Sequence, residues 1–165
     1  MKEIPYNRNN VIEYARKWAY GRNPQYYNFD NVGGDCTSFV SQCIYAGSKV
    51  MNYSKQNGWY YINGNNKSPS WSGVEFLHNF LTKNKSVGPY ENEVGQDKIA
   101  LGDIAQLSFD GDKFSHSLVI VKIEDNTDLN QVFISSHTFD SFNKRILEYN
   151  YEKIRFIHIE GVRKN

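Results

Sequence analysis

The sequence predicts a fold of helices followed by a β-sheet. Up to about residue 84, apolar residues recur at the spacing of helix turns, and from about residue 98 apolar and polar residues alternate as they do in strands. The chain has 165 residues, of which 39% are hydrophobic and 15% aromatic. A chain of this length and composition can bury one core, so residues 1–165 are expected to form a single domain.

Three segments show the helical pattern. They cover residues 10–21, 36–47 and 73–84. Asn10 and Glu13 have the spacing of a capping box, as do Ser72 and Glu75 at the start of the third segment. Gly47 is expected to end the second helix, since glycine readily adopts the conformation found just after a helix.

The second segment carries a candidate nucleophile. Two glycines, Gly33 and Gly34, favour a tight turn, Asp35 is able to cap a helix, and Cys36 then falls in the first helical turn. Peptide dipoles and unpaired N–H groups at that position stabilise an anion, which predicts a lowered pKa and a reactive thiol. The simpler alternative is a small buried cysteine. The position after a Gly-Gly turn favours the nucleophile.

The second cysteine, Cys43, is interpreted as a core residue. It lies seven positions after Cys36 within the same predicted helix, in the apolar stripe. Seven helical residues span ~10 Å along the axis. Because a disulfide needs Cα atoms within about 7 Å, the two cysteines are not expected to pair.

The second half of the chain predicts four strands and brings two histidines together. The strands cover residues 101–107, 116–123, 131–137 and 154–159. A symmetric hairpin of the middle two strands sets Ile120 opposite Phe133 and His116 opposite His137. Both imidazoles are then expected to project from one end of the sheet. An isolated histidine on an apolar strand is usually a core residue, but two that converge favour function.

A thiol and two imidazoles meet the needs of thiol-based acyl transfer. In this hypothesis Cys36 attacks a carbonyl carbon, and His116 takes the thiol proton and later protonates the leaving amine. His137 fixes the orientation and tautomer of the His116 ring. Backbone N–H groups at the start of the Cys36 helix are placed to hold the developing oxyanion.

An aromatic cluster is predicted to line a substrate cleft. Residues 48–70 form a long polar stretch around Trp59 and Tyr60, and Trp71 follows just before the third helix. A loop of this length in a compact domain is usually functional or disordered, and its aromatic residues argue against disorder. With Asp35 beside the nucleophile, these three aromatic residues are the candidates for the oxyanion and substrate cleft.

Five short motifs resemble those of a known family. They are Asp35-Cys36-Thr37-Ser38-Phe39-Val40-Ser41-Gln42, Trp71, Gly102-Asp103-Ile104, His116-Ser117-Leu118-Val119-Ile120-Val121 and Ser136-His137-Thr138. Together they are similar to the bacterial putative amidase domain family, which itself resembles the NlpC and CHAP cell-wall hydrolases. The resemblance covers about residues 8 to 160.

The resemblance implies a fold, an activity and a site. The fold is α+β and papain-like, with helices packed on an antiparallel sheet. Cys36 corresponds to the nucleophile and His116 to the base, and the third position corresponds to His137, with Asp140 as the reserve candidate. The implied activity is hydrolysis of an amide in peptidoglycan, or of a similar peptide substrate, at the cell wall or outside the cell, by a monomeric domain that needs no cofactor.

Composition excludes some functions and leaves others open. The net charge is +1, with both signs mixed along the chain, so no nucleic-acid partner is expected. No apolar run approaches a membrane span, and the first residues lack the apolar core of a signal peptide, which leaves the delivery route unknown. Two alternatives remain: a zinc-binding domain that uses Cys36, His116 and His137, and a degenerate sugar-binding module. No closely spaced ligand pair supports zinc.

Overall fold

The computed structural model describes all residues, Met1–Asn165, and shows an α+β fold of four helices with a seven-stranded antiparallel sheet. The helices are α1 (Arg8–Trp18), α2 (Cys36–Ser48), α3 (Pro69–Ser72) and α4 (Val74–Lys83). The strands are β1 (Lys2–Ile4), β2 (Tyr61–Asn63), β3 (Asn66–Lys67), β4 (Gly88–Val94), β5 (Ile104–Ser108), β6 (Phe114–Ile123), β7 (Val132–Ser136), β8 (Ser141–Arg145) and β9 (Lys153–Lys164). None of the helices is both long and apolar enough to cross a membrane.

The long strand β9 organises the sheet. Along one edge it pairs first with β5 and then, at its far end, with β1, where Lys2 lies opposite Lys164. Its other edge pairs with β4. From β5 the sheet continues through β6 and β7 to β8, while β2 and β3 form a separate small hairpin. All of these pairs are antiparallel.

Each face of the sheet buries its own apolar cluster. The larger cluster lies between the sheet and the helices and includes Val11, Phe39, Val40, Ile44, Leu77, Ile104, Val119 and Ile157. The smaller cluster, on the other face, includes Leu107, Leu118, Ile120, Ile134, Ile146 and Phe156. The candidate nucleophile belongs to a helix on the first face. His116 lies opposite Leu107, a member of the smaller cluster, whereas the His137 ring stacks on Phe39, a member of the larger cluster. The two candidate histidines therefore belong to different faces.

The predicted pairing of β6 with β7 is wrong, by one residue at Val119 and Ile120 and by two nearer the loop. Val119 lies opposite Ser135 and Ile120 opposite Ile134, and an irregularity between Ile120 and Lys122 separates this register from the one near the loop. The prediction placed Ile120 opposite Phe133, which instead lies opposite Lys122. Because a one-residue shift exchanges the two faces of a strand, the predicted pairing of the two histidines is lost.

Gly47 lies inside α2 rather than at its end. The helix continues to Ser48, and Lys49 takes the left-handed conformation that ends it, with φ 55°. A Cβ atom on Gly47 would lie 2.5 Å from Cγ2 of Val11 in α1 and 2.7 Å from the Tyr6 ring. Glycine is therefore needed at this position because α1 approaches α2 closely, and the prediction of a helix stop is wrong.

The predicted helix caps also differ from the observed ones. Helix α1 begins earlier than predicted, and its cap is Asn7, whose side chain accepts a hydrogen bond of 3.0 Å from the Asn10 backbone. Ser72 ends the short helix α3, and Gly73 precedes α4 without a side-chain cap. Local spacing alone marked the right regions but the wrong capping residues.

Candidate active site

Cys36 is the first residue of α2, as predicted, and its side chain is 7% exposed. The turn before it depends on glycine, because Gly33 and Gly34 have φ values of 82° and 95°. A Cβ atom on Gly34 would also lie 3.3 Å from the Thr138 hydroxyl. The turn thus brings the start of α2 close to the segment that follows β7.

Burial dominates the electrostatics of the Cys36 thiol. It raises the pKa above the ordinary value, whereas hydrogen bonds from the Ser117 backbone and from Thr37 act in the opposite direction. The Thr37 hydroxyl lies 3.7 Å from Sγ. The predicted lowering of the pKa is therefore wrong, and the resting thiol is protonated at neutral pH. Cys43 is fully buried, and both cysteines are free thiols, as expected.

The His116 ring is held by a hydroxyl group that the sequence prediction missed. Its Nε2 lies 3.1 Å from Oγ of Ser136, and that hydroxyl donates its single hydrogen to the carbonyl oxygen of His137 at 2.6 Å. Ser136 must therefore accept from His116, which places the ring proton on Nε2. The lone pair of Nδ1 remains available for a proton.

His116 is neutral at physiological pH. Burial, and then the positive charge of Lys144, lower its pKa from 6.5 to about 4. Its ring centroid lies 5.5 Å from that of Tyr149. Burial is the main reason why the pKa of Tyr149 is raised, and the charge of the Cys36 thiolate is a smaller cause in the same direction.

Cys36 and His116 thus lie in the same small region without a direct hydrogen bond between them. The thiol is hydrogen-bonded by the backbone of Ser117, the residue that follows His116, and the hydroxyl of Thr37, the residue that follows Cys36, lies 2.9 Å from that of Ser117. Catalytic hydrogen bonds are often absent before substrate binds, so this arrangement is compatible with a nucleophile and its base.

His137 does not contact His116. Its Nδ1 lies 2.6 Å from Oδ2 of Asp35, its Nε2 lies 2.7 Å from the carbonyl oxygen of Trp18, and its ring stacks on Phe39. Both partners accept hydrogen bonds, so the ring satisfies them both only when both nitrogens carry a proton. The predicted place of His137 opposite His116 depended on the incorrect register, and no contact supports its role as the third catalytic residue.

Asp35 and Asp140 also have structural partners. Asp35 is 1% exposed and accepts a hydrogen bond of 2.9 Å from the Phe29 backbone, in addition to its bond with His137. It makes no side-chain cap and lines neither of the two described pockets. Asp140 forms a two-point ion pair with Arg22, at 2.9 and 3.1 Å. Neither carboxylate contacts His116.

The predicted aromatic cleft is largely a core cluster. Trp59 and Trp71 have no exposed surface, and their rings lie 5.1 Å apart. Trp59 donates a hydrogen bond of 3.0 Å to Ser41 in α2. Tyr60 is half-buried, beside Tyr53. Since a substrate has no access to the two tryptophans, their assignment to the cleft is wrong.

A pocket of about 330 Å³ opens beside His116. Its lining consists of Phe109, Ser115, His116, Thr138, Phe139, Lys144, Glu148, Tyr149 and Asn150. Phe139 is 84% exposed, and both Thr138 and Phe139 have positive φ values, 62° and 59°. Such conformations are uncommon outside glycine and are held in place by the surrounding structure, often near functional sites.

Two other features bear on the alternatives. A larger groove of about 640 Å³ is lined mainly by α4 and residues 52–58 and contains none of the predicted catalytic residues. No group of three His, Cys, Asp or Glu side chains is arranged to hold a metal ion. The zinc-binding alternative therefore has no ligand set in this structure.

Sequence reasoning missed Ser136, Lys144 and Tyr149 as members of this region. Ser136 lies beside His137 in one of the motifs, so it was visible in the sequence, but only the observed register shows that its hydroxyl meets His116. Lys144 and Tyr149 belong to β8 and the segment after it, where the sequence shows no pattern that indicates a site.

The fold and the site define an α+β domain with a buried thiol at the start of α2 and a neutral imidazole that lines an open pocket. Residues 5–159 match the family described as "Putative amidase domain", and the chain belongs to that family. It is also similar to the uncharacterized protein YhbB of Bacillus subtilis strain 168, with 28% identity over 154 residues. That alignment covers 92% of this chain and 46% of the relative, so the chain spans about half of the relative's length. No solved structure significantly matches this chain.

Proposed function

We propose that the protein is a cysteine-dependent amidase or peptidase with a papain-like arrangement, in which Cys36 is the nucleophile and His116 the base. The observation that carries the proposal is the contact of His116 Nε2 with Ser136, from which the tautomer of the ring follows. Because Nε2 donates to Ser136, the free lone pair of Nδ1 is the one available to a thiol. The start of α2 places the Cys36 thiol against the backbone of Ser117, the residue that follows His116. Membership of the amidase family supports the reaction class.

The proposed reaction starts from a neutral thiol and a neutral imidazole. As Sγ of Cys36 attacks the carbonyl carbon of an amide, Nδ1 of His116 takes the thiol proton. The carbonyl oxygen becomes an oxyanion, and the N–H groups in the first turn of α2, which have no partners within the helix, can stabilise it. The imidazolium then protonates the amine, and the C–N bond breaks to leave a thioester.

Water completes the cycle. Neutral His116 removes a proton from a water molecule, which attacks the thioester carbon, and the proton returns to the sulfur as the carboxylic acid leaves. Ser136 acts as the positioning residue, since it holds Nε2 and keeps Nδ1 in place through both half-reactions. In this proposal Ser136 has the orienting role that was predicted for His137.

The proposed substrate is an amide of peptidoglycan or a similar peptide, cleaved at the cell wall or outside the cell. The pocket beside His116 offers two exposed aromatic rings, Phe109 and Phe139, and the charged group of Lys144. It can therefore hold a chain with both apolar and anionic groups next to the reacting bond. The resemblance to cell-wall hydrolases supports peptidoglycan as the source of such a chain.

Incubation of the protein with purified peptidoglycan, followed by mass spectrometry of the fragments, tests the proposal and names the bond. Cys36→Ala and His116→Ala should each remove nearly all turnover, since members of a catalytic unit depend on one another. Cys43→Ala is the matched control, because that thiol lies in the core and should be dispensable. EDTA should leave turnover unchanged.

Two outcomes would contradict the proposal. Full activity of folded Cys36→Ala would exclude a thiol nucleophile, and loss of activity on chelation with recovery on added zinc would favour a metal-dependent reaction. Binding to peptidoglycan without any new fragment would instead favour a non-catalytic wall-binding module.

A further inference from the structure

Three polar side chains form a row across the face of the sheet that packs against the helices. On neighbouring strands, Arg155 of β9 lies opposite Gln106 of β5, which lies opposite Ser117 of β6. Directly opposite residues share a face, so this row points toward the helices. Gln106 and Ser117 are both 0% exposed. Their neighbours on this face, such as Ile104 and Val119, are apolar members of the core.

The hydrogen bonds of the row run in the one direction that gives every hydrogen an acceptor. Arg155 can only donate, and its Nε and Nη2 lie 2.9 and 2.6 Å from Oε1 of Gln106. The amide oxygen is therefore the acceptor, and the amide nitrogen donates at 3.2 Å to Oγ of Ser117 and at 3.0 Å to the carbonyl oxygen of Val74. Both amide hydrogens are used, so the orientation of the Gln106 side chain is fixed.

The same direction continues into the first turn of α2. Ser117 accepts from Gln106, and the only other partner of its hydroxyl is Oγ1 of Thr37, 2.9 Å away, so the Ser117 hydrogen has an acceptor only when it points to Thr37. Thr37 then directs its hydrogen to Sγ of Cys36 at 3.7 Å. Thr37 is 1% exposed, so water does not compete for these bonds. Arg155 sets the direction of the first bonds, and the later ones take the direction in which each hydroxyl hydrogen has an acceptor.

We propose that Gln106, Ser117 and Thr37 are positioning residues, which Arg155 orients so that the Thr37 hydroxyl permanently donates to the sulfur of Cys36. This inference rests on the proposed role of Cys36 as the nucleophile. A hydrogen bond donated to sulfur stabilises the thiolate more than the thiol. The row therefore offsets part of the free-energy cost of forming a buried thiolate when His116 removes the thiol proton.

Packing alone does not explain why this row of buried residues is polar. Cross-strand neighbours in a buried layer are normally apolar, and each buried polar group that lacks a partner costs free energy. Here every group from Arg155 to Thr37 has a partner. At one end Arg155 also pairs with Glu75 at 2.9 Å, and at the other end the row reaches the sulfur. A row that served structure alone would not need to end at a thiol.

The test measures the pH dependence of Cys36 alkylation by iodoacetamide, followed by mass spectrometry of the labelled peptide. Thr37→Val keeps the shape and removes the hydroxyl, so the midpoint should move to higher pH and the rate near neutral pH should fall about tenfold or more, because one pKa unit is tenfold in thiolate. Thr37→Ser restores a hydroxyl and should return the midpoint. Gln106→Met, which cannot donate, should shift it in the same direction as Thr37→Val.

Arg155→Met removes the cation that orients Gln106 and should shift the midpoint in the same direction. Arg163→Met is its matched control, because Arg163 lies on the same strand but bonds to the Asn84 carbonyl, outside the row. Circular dichroism checks that each variant is folded. An unchanged midpoint in Thr37→Val and Gln106→Met would overturn the inference, even if Cys36→Ala abolishes peptidoglycan cleavage. Conversely, an active Cys36→Ala protein would overturn the proposed function, whereas the alkylation profiles would still report on the row.

Discussion

Glu91 is a buried carboxyl group without a partner, and its removal should stabilise the protein. It lies in β4, is 4% exposed, and neither of its carboxylate oxygens has a hydrogen-bond partner. Burial, and then the nearby charges of Glu93 and Glu160, raise its pKa from 4.5 to about 8. The folded protein therefore keeps this carboxyl group protonated at neutral pH.

The effect of Glu91 on the free energy of unfolding depends on pH. Between pH 4.5 and about 8 the Glu91 carboxyl binds a proton in the folded state but is ionised in the unfolded state. The folded state thus binds more protons, so the free energy of unfolding falls as pH rises through this window. At pH 7 the interval above 4.5 is about 2.5 units, which corresponds to about 3 kcal/mol at most.

Glu91→Gln removes the ionisable group and keeps the shape. Urea unfolding should show the variant gaining stability relative to the wild type as pH rises from 5 to 7, by about 1.4 kcal/mol for each pH unit. Near pH 4.5 the two proteins should differ only by the effect of the amide itself. Glu152→Gln, at an exposed glutamate, is the control and should show no such trend. A stability difference that stays constant between pH 5 and 8 would show that Glu91 is ionised in the folded protein and would refute this reasoning.

Three further changes test the site and the helix packing. Ser136→Ala should lower kcat with little change in KM, because the His116 ring loses the hydroxyl that holds Nε2, and unchanged kcat in steady-state kinetics would exclude this role. Lys144→Met removes a charge that lowers the His116 pKa, so the acidic limb of the kcat/KM profile should move to higher pH, and a limb that stays in place or moves down would contradict it. Gly47→Ala should destabilise the fold by about 1–3 kcal/mol in urea unfolding, since its methyl group would meet Val11, and a neutral result would show that α1 moves away easily.

The sequence predicted what local chemistry determines. The start of α2 at Cys36 follows from a Gly-Gly turn and an apolar helical stripe, and both positive φ values confirm the need for glycine there. The strand from His116 to Ile123 follows from its alternation and lies within β6. In both segments the preference of each residue agrees with its place in the fold, so pattern was sufficient.

The remaining errors come from long-range contacts. The register of β6 and β7 depends on where the loop closes and on an irregularity beside Ile120, and alternation reveals neither, so the predicted register that set His137 opposite His116 was wrong. The edge strand β8 is largely exposed and shows no apolar alternation, so it was missed. The burial of Trp59 depends on the packing of α2 and α3 against its ring, whereas the sequence around it is polar. Such contacts are decided by distant parts of the chain.

The pairing of β1 with β9 has a consequence for protein engineering. Since Lys2 lies opposite Lys164, both ends of the chain leave the molecule at the same edge of the sheet, far along β9 from its pairing with β5. A short glycine-rich linker can therefore join the ends, with new termini opened in the exposed loop between β6 and β7. For the same reason, this domain can be inserted into a surface loop of another protein while the pocket beside His116 stays intact.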